Sequence, residues 1–392
     1  MGESSGKVNA LSEAFRERFQ RQPEIFSAPG RVNLIGEHTD YNGGLVLPMA
    51  IGERTRVAAA ARSDRVVRAY SQTLRKDRTF SLDDPWKRRG KWLDYVEGVA
   101  RVLGERGVPV AGADLYISSD VPPGAGLSSS AALELAVGLA LTTLAKTPLS
   151  PRDLAAVGQR VEHEYIGAET GIMDQLVSAL GRQGHALLID CRSREISEIP
   201  IPELGAKFVV CDTRVRHALA NSEYNKRRAE CQEAVELLRR SGFALESLRD
   251  VTVERLDEAL RLLPDPLSRR VRHVVRENAR TSAAVDALSR RHLVGLGRLL
   301  TGSHASLRDD YEVSCPELDH VVDSALQQKG VLGARMTGGG FGGSALLLVQ
   351  AAAVDRVEEA VFASFHAKFK SEPAFSVKEA GDGMRKEILA RA

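Results

Sequence analysis

Residues 113–138, ADLYISSDVPPGAGLSSSAALELAVG, read as a short strand, a glycine-bearing turn and the start of a long apolar helix. ADLYISS is the strand, and the helix is expected over Ser128–Lys146. A helix that opens on Ser128, Ser129 and Ser130, just after Gly124 and Gly126, is suited to an anion. Its first-turn N–H groups lack intrahelical partners, and the helix dipole adds positive potential there. The glycines let the backbone approach a ligand, and serine hydroxyls suit phosphate oxygens or Mg²⁺. The stretch lacks the lysine of GxxxxGK[ST], and Ser129 stands where GxGxxG has its third glycine. Neither a P-loop fold nor a dinucleotide-binding fold is supported. The plain alternative is that the serines only cap a core helix.

Upstream, residues 28–44 read APGRVNLIGEHTDYNGG and bring Arg31, Glu37, His38 and Asp40 together in one polar stretch. Such loops between apolar strands often carry function. Carboxylates accept hydrogen bonds and an imidazole can accept or donate, so an acid–His–acid cluster fits the hydroxyls of a sugar. An ordinary salt-bridged loop is the competing reading. His38 has no second His at helical or hairpin spacing, which argues against a metal ligand.

Downstream, residues 161–181 place Glu162 and Asp174 among small and apolar neighbours. Asp174 follows Gly171-Ile172-Met173, where it either caps a helix or accepts a hydroxyl proton; Glu162 suits Mg²⁺. Residues 337–343, TGGGFGG, hold five glycines in seven positions between two strand-like runs. That density costs backbone entropy, and it points to a ligand or another backbone approaching closely.

The remaining chain is consistent with a two-domain globular protein. It has 392 residues, and domains typically take roughly 100–200. Lys and Arg total 54 against 52 Asp and Glu, a net charge of +2, which argues against a nucleic-acid or membrane-surface partner. The arginine pairs at 227–228, 239–240, 269–270 and 290–291 lie among acids and read as solvated helix faces. Four scattered cysteines form no CxxC pair, which disfavours disulfides and structural zinc. With no apolar leader in residues 1–9 and no long apolar span, a cytoplasmic location is expected.

A helix through Leu11, Phe15 and Phe19 is expected to open the chain, followed by a loop-rich stretch punctuated by Pro23, Pro29 and Gly30. LVLPMAI, TRVAAAA and RVVRAYS read as short strands split by charged turns. HALLIDC and KFVVCDT are taken as the strands that close the first half. Residues 222–306 are mostly helical, and the rest alternates helix and strand, as in an α+β sandwich with helices on one face of an antiparallel sheet. Residues 1–203 and 204–392 are the expected domains. Histidines other than His38, among them His217, show no clustering.

GRVNLIGEHTDYNGG, PPGAGLSSSAALE, GIMDQLVSALG and TGGGFGGSAL, in this order, closely resemble the galactokinases over essentially the whole chain. These belong to a wider small-molecule kinase family with the homoserine, mevalonate and phosphomevalonate kinases. The first motif is specific to galactokinases, and the second marks only the wider family. The resemblance implies an N-terminal domain with a left-handed βαβ unit, a ferredoxin-like C-terminal α+β sandwich, and an active site in the cleft between them. It implies ATP as co-substrate, Mg²⁺ as cofactor and galactose as acceptor. Glu37, His38, Thr39, Asp40, Gly171, Asp174 and Tyr224 are then the sugar-binding positions. Gly124, Ala125, Gly126, Leu127, Ser128, Ser129 and Ser130 cradle the triphosphate, with Ser71 and Trp92 helping to hold the nucleotide. Ser130 and Glu162 are the implied Mg²⁺ ligands, Asp174 the catalytic base, and Arg31 its partner and the transition-state stabiliser. Two rivals are a kinase for N-acetylgalactosamine or another aldose, and a catalytically silent galactose sensor. Sensors of this family tend to lose part of the serine-rich loop, which is intact here as GLSSSAAL. A monomer or weak homo-oligomer is expected.

Overall fold

The computed structural model describes residues 2–203, 205–216 and 220–389. His217 therefore lies outside the described residues.

The first sheet has six strands: β1 (Glu24–Asn33), β3 (Pro48–Ala61), β4 (Val66–Ser71), β5 (Lys76–Ser81), β6 (Ala113–Ser119) and β13 (Arg385–Glu387), in the order β13-β1-β3-β6-β4-β5. All its pairs are antiparallel except β4 with β6. Helix α2 (Leu93–Glu105) lies in the crossover between those two strands. β2 (Leu45–Val46), β7 (His185–Asp190) and β8 (Ile196–Pro200) form a small three-stranded sheet.

Two expectations change here. The separate runs LVLPMAI and TRVAAAA are bridged by β3, one 14-residue strand that passes through the charged residues between them. β3 is apolar at successive positions because both faces are covered. Ala58 and Ala60 face α1 (Gly2–Phe19) through Leu11 and Phe15, whereas Val57 and Ala59 join the large core with α3 (Ser129–Leu144). The stretch around Pro29 and Gly30 is a buried strand, with a register shift between Pro29 and Arg31. At that irregularity the missing N–H of Pro29 is tolerated, and Arg31 N–H donates to Leu127 O at 3.0 Å instead of continuing the ladder.

β9 (Ala206–Arg216), β10 (Val331–Thr337), β11 (Gly342–Gln350) and β12 (Ala374–Lys378) form an antiparallel sheet ordered β10-β11-β9-β12. KFVVCDT is thus an inner strand of this second sheet, a correction to its expected place at the close of the first half. Taken in chain order the strands lie 2-3-1-4, with α11 (Val354–Phe369) between the third and fourth, which is the ferredoxin-like arrangement. Both faces of this sheet are packed. Val209, Cys211, Leu347 and Val349 face a core that includes Val321 of α10 (Pro316–Leu326) and Val361 of α11. Phe208, Val210, Leu346 and Leu348 pack against Val32, Leu34, Leu47 and Leu127 of the first half and Leu296 and Leu300 of α9 (Leu293–Asp309). That second layer explains why the run from Ala345 to Val349 is apolar at every position and does not alternate.

The other helices are α4 (Pro151–Val161), α5 (Met173–Leu180), α6 (Ala220–Arg240), α7 (Leu256–Arg261) and α8 (Leu267–Ser289). We propose 1–203 and 204–392 as the two domains, with β13 returning to the first sheet. The shared apolar layer places the loop after β1, the turn before α3 and the β10–β11 hairpin side by side.

Candidate active site

Gly30 has no room for a side chain, because a Cβ there would lie 2.6 Å from Leu127 O and 2.9 Å from Val121 Cγ1. This close approach seats β1 against the turn before α3. Ser178 of α5 donates to Pro29 O at 2.7 Å, so the helix that carries Asp174 is tied to the same point. Arg31 and Asp174 meet there. Arg31 Nε donates to Asp174 Oδ1 at 2.8 Å and Nη2 to Oδ2 at 2.9 Å. Such a bidentate pair fixes both planes. Arg31 is almost fully buried, and the Asp174 side chain keeps 28% of its surface open to the cleft.

Ser128 precedes α3 in a left-handed conformation, φ 58°, and its side chain does not cap the helix. The hydroxyl instead donates to Asp174. The capping alternative is therefore corrected for Ser128: this hydroxyl serves the carboxylate, and the first turn of α3 borders the cleft without a side-chain cap. Gly124 and Gly126, at φ 70° and 75°, shape the turn.

These residues line a cleft of about 420 Å³. Arg31, Glu37, His38, Asp40, Gly171, Asp174 and Tyr224 surround one part, and Gly124, Gly126, Leu127 and Ser128–Ser130 the other. A second cavity of about 460 Å³ adjoins it and contains Ser71 and Trp92. Tyr95, Ser129 and Ser130 border both spaces. A single groove thus runs from an acid-lined end, past a helix N-terminus, to a more apolar end.

Not every expected residue reaches the groove. Thr39 is fully buried, and its hydroxyl faces the carbonyls of Gly36 and Leu45 at 2.8 and 2.7 Å. Ala125 is buried, and its carbonyl accepts from Ser344 Oγ at 2.6 Å. Neither lines the two cavities, and nor does Glu162, which is buried beside Ser130. Glu37 lines the cleft, but its Oε1 already accepts from Gly338 N–H at 2.7 Å and from Thr337 Oγ1 at 3.2 Å.

Electrostatics at the site reflect crowded carboxylates. Burial, then the proximity of Asp174, pushes the Asp40 carboxyl up to about 7. Burial also pushes Glu162 up to about 7, with a hydrogen bond from Ser130 opposing and Asp174 adding to the rise. Buried Glu134 is raised well above the usual carboxylate range by burial and by Glu162. Among the described residues no group of three or more His, Cys, Asp or Glu side chains is arranged to hold a metal. Ser130 and Glu162 nevertheless fit Mg²⁺, which keeps several waters and phosphate oxygens and needs few protein ligands. A hydroxyl and a carboxylate oxygen, joined by a hydrogen bond beside the anionic Asp174, are the hard donors such an ion prefers. His38 is driven the other way, down to about 3, chiefly by burial and then by His273.

Several lining residues carried no sequence signal strong enough to single out. Arg216 sits over Gly124, where its Nε would lie 2.8 Å from an added Cβ. Tyr95, on α2 three residues after Trp92, borders both cavities. Asn225 is adjacent to Tyr224, whereas Thr170 and Val215 stand in no motif.

Residues 13–61 match the galactokinase galactose-binding signature, residues 94–182 the N-terminal domain of the GHMP kinases, and residues 284–367 their C-terminal domain. The chain is 51% identical to a galactokinase of Chloroflexus aggregans over 361 residues, 92% of both chains. It is 52% identical to that of Chloroflexus aurantiacus over 89% of this chain and 90% of the other. The crystal structure of Lactococcus lactis galactokinase complexed with galactose superposes with a TM-score of 0.93 at 38% identity, covering 97% of this chain and 100% of that one. The mevalonate kinase of Methanococcus jannaschii, at 19% identity and a TM-score of 0.65, covering 92% and 99% of the two chains, shares the fold. Signature, identity over nearly the full length and superposition agree, and the chain belongs to the galactokinase family.

Proposed function

We propose that this protein transfers the γ-phosphoryl group of MgATP to the anomeric hydroxyl of α-D-galactose, giving galactose 1-phosphate and ADP. The observation that carries this reading is the Arg31–Asp174 pair at the mouth of α3, between the acid-lined and helix-terminal parts of one groove.

Phosphoryl transfer through a loose transition state needs alignment and charge stabilisation more than covalent help. The first turn of α3 and the loop from Gly124 to Ser130 receive the phosphates. Asp40, Tyr224 and Gly171 frame the sugar. Asp174, aimed by Arg31 and Ser128, accepts the proton of the anomeric hydroxyl, whose oxygen forms the new bond to phosphorus as the bond to the ADP oxygen breaks. Arg31 also faces the charge that develops on the transferring group. Ser130 and Glu162 would hold Mg²⁺, which would neutralise phosphate charge. Ser71 and Trp92 contact the nucleotide in the adjoining cavity.

The working form is a monomer or weak homo-oligomer in the cytoplasm, with neither nucleic acid nor membrane as partner. No helix among the described residues is long and apolar enough to cross a membrane. An ADP-release assay over a panel of sugars tests the function. Turnover with galactose well above that with N-acetylgalactosamine or other aldoses is expected. Preference for another aldose, or binding without turnover, would replace this reading.

A further inference from the structure

The His38 ring makes two hydrogen bonds, and neither points into open space. Its Nδ1 lies 2.7 Å from Tyr41 Oη, and its Nε2 lies 3.1 Å from the carbonyl of Gly339 in the β10–β11 hairpin. Tyr41 Oη lies 2.9 Å from Tyr311 Oη, which lies 3.1 Å from Cys231 Sγ. Asn42 Nδ2 closes the set, donating to Cys231 Sγ at 3.7 Å and to the backbone carbonyl of His38 at 2.9 Å.

The direction of this chain is forced. Gly339 O only accepts and Asn42 Nδ2 only donates, and each hydroxyl or thiol between them has one proton. Nε2 must therefore donate to Gly339, so Nδ1 of a neutral ring must accept from Tyr41. Tyr41 then accepts from Tyr311, and Tyr311 from Cys231. Protonating Nδ1 would turn the Tyr41 hydroxyl away and leave buried partners unmet, and burial independently drives His38 down to about 3. The rings pack as well: Tyr311 and Tyr224 centroids lie 4.9 and 5.3 Å from that of His38. His38 itself has a left-handed backbone, φ 61°, unusual for a non-glycine residue and maintained only by such surroundings.

We propose that Tyr41 and Tyr311 are positioning residues, a one-way hydroxyl relay that locks His38 as the Nε2–H tautomer and thereby pins Gly339 to the sugar side of the cleft. Neither tyrosine needs to touch substrate. Tyr41 follows Asp40 directly, so the relay also fixes where that carboxylate stands. The kinetic consequence rests on the reading that galactose occupies the acid-lined end; the tautomer does not.

The test uses the full chain labelled with ¹⁵N-histidine, with His38 assigned by comparison with His38→Asn. In the unsubstituted protein His38 should show a protonated Nε2 and a hydrogen-bonded, bare Nδ1, unchanged between about pH 5 and 8, where an ordinary histidine titrates. In Tyr41→Phe the Nδ1 resonance should move toward that of an unbonded pyridine-type nitrogen. The galactose KM should rise roughly 5- to 50-fold, as expected for a buried acceptor losing its donor, and the ATP KM should change less than about twofold. Tyr311→Phe should act in the same direction more weakly, which guards against a folding defect in one variant. A proton on Nδ1, an Nδ1 resonance unmoved by Tyr41→Phe, or equal rises in both KM values would overturn the relay. A protein inert toward every sugar would refute the assigned function, and the nitrogen spectrum would still decide the relay.

Discussion

Arg31 grips Asp174 through two near-parallel hydrogen bonds of 2.8 and 2.9 Å, although 143 residues separate them in sequence. Asp174 has a third donor in Ser128, so its orientation is fixed by both β1 and the turn before α3. Arg31→Ala should lower kcat by roughly 100-fold or more, the usual cost of removing a preorganised electrostatic contact. Asp174→Asn should lower it at least as far with melting behaviour intact. Near-normal turnover of a folded Asp174→Asn protein in single-turnover assays would exclude it as the base.

Gly171 stands against Asp40 with no spare room: an added Cβ would lie 1.8 Å from Asp40 Oδ2 and 2.2 Å from its Cγ. Its role is to leave space for the carboxylate, since its backbone is not in the left-handed region. Gly171→Ala should displace Asp40 and raise the galactose KM at least about 10-fold, as sites built around hydroxyls discriminate strongly. The ATP KM should stay nearly constant. Equal rises would mean that the whole cleft had shifted.

Asp40 sets a pH dependence. Its folded-state carboxyl is raised to about 7, above the roughly 3.9 of an unfolded aspartate. The folded protein therefore binds the proton more tightly than the unfolded chain does. The stabilising contribution is complete below about pH 4 and is lost as pH rises through about 7. Urea midpoints of the ligand-free protein should accordingly show a downward component between pH 5 and 8 that Asp40→Asn lacks. Identical profiles for the two proteins would refute the assignment.

Mg²⁺ without nucleotide should raise the melting temperature, because a ligand that binds only the folded state stabilises it by mass action. Ser130→Ala and Glu162→Gln should each weaken that rise. If both variants respond to Mg²⁺ as the unsubstituted protein does, the ion is held elsewhere.

Much of this site was legible because its chemistry is local. Gly124 to Ser130 announces an anion loop by residue type and spacing, and Arg31 to Asp40 falls within one short run. What local pattern cannot carry is which side of a segment faces the ligand. Thr39 and Ala125 sit inside the right motifs yet turn toward backbone and core. Pro29 and Gly30 read as loop because both weaken strands, whereas here one sits at a register shift and the other permits contact with Leu127. KFVVCDT has the apolar pattern of an inner strand, and pattern alone does not say which sheet receives it. Tyr311 and Cys231 were invisible for a stronger reason: their partners are 270 and 189 residues away in sequence, and only the folded chain assembles the relay.

Strand β1, which carries Arg31, is flanked on its outer edge by β13, and Ser27 of β1 donates to Glu387 at 2.6 Å across 360 residues of sequence. Translation proceeds in one direction, at roughly 5–20 residues per second. Strand β1 is therefore made early but keeps an open edge for roughly tens of seconds, until β13 arrives. Arg54 then clasps that segment through the carbonyls of Asp382 and Gly383 at 2.7 and 2.6 Å. Completion of the first sheet thus waits on β13, so a chain that stops before Arg385 is left with an exposed β1 edge.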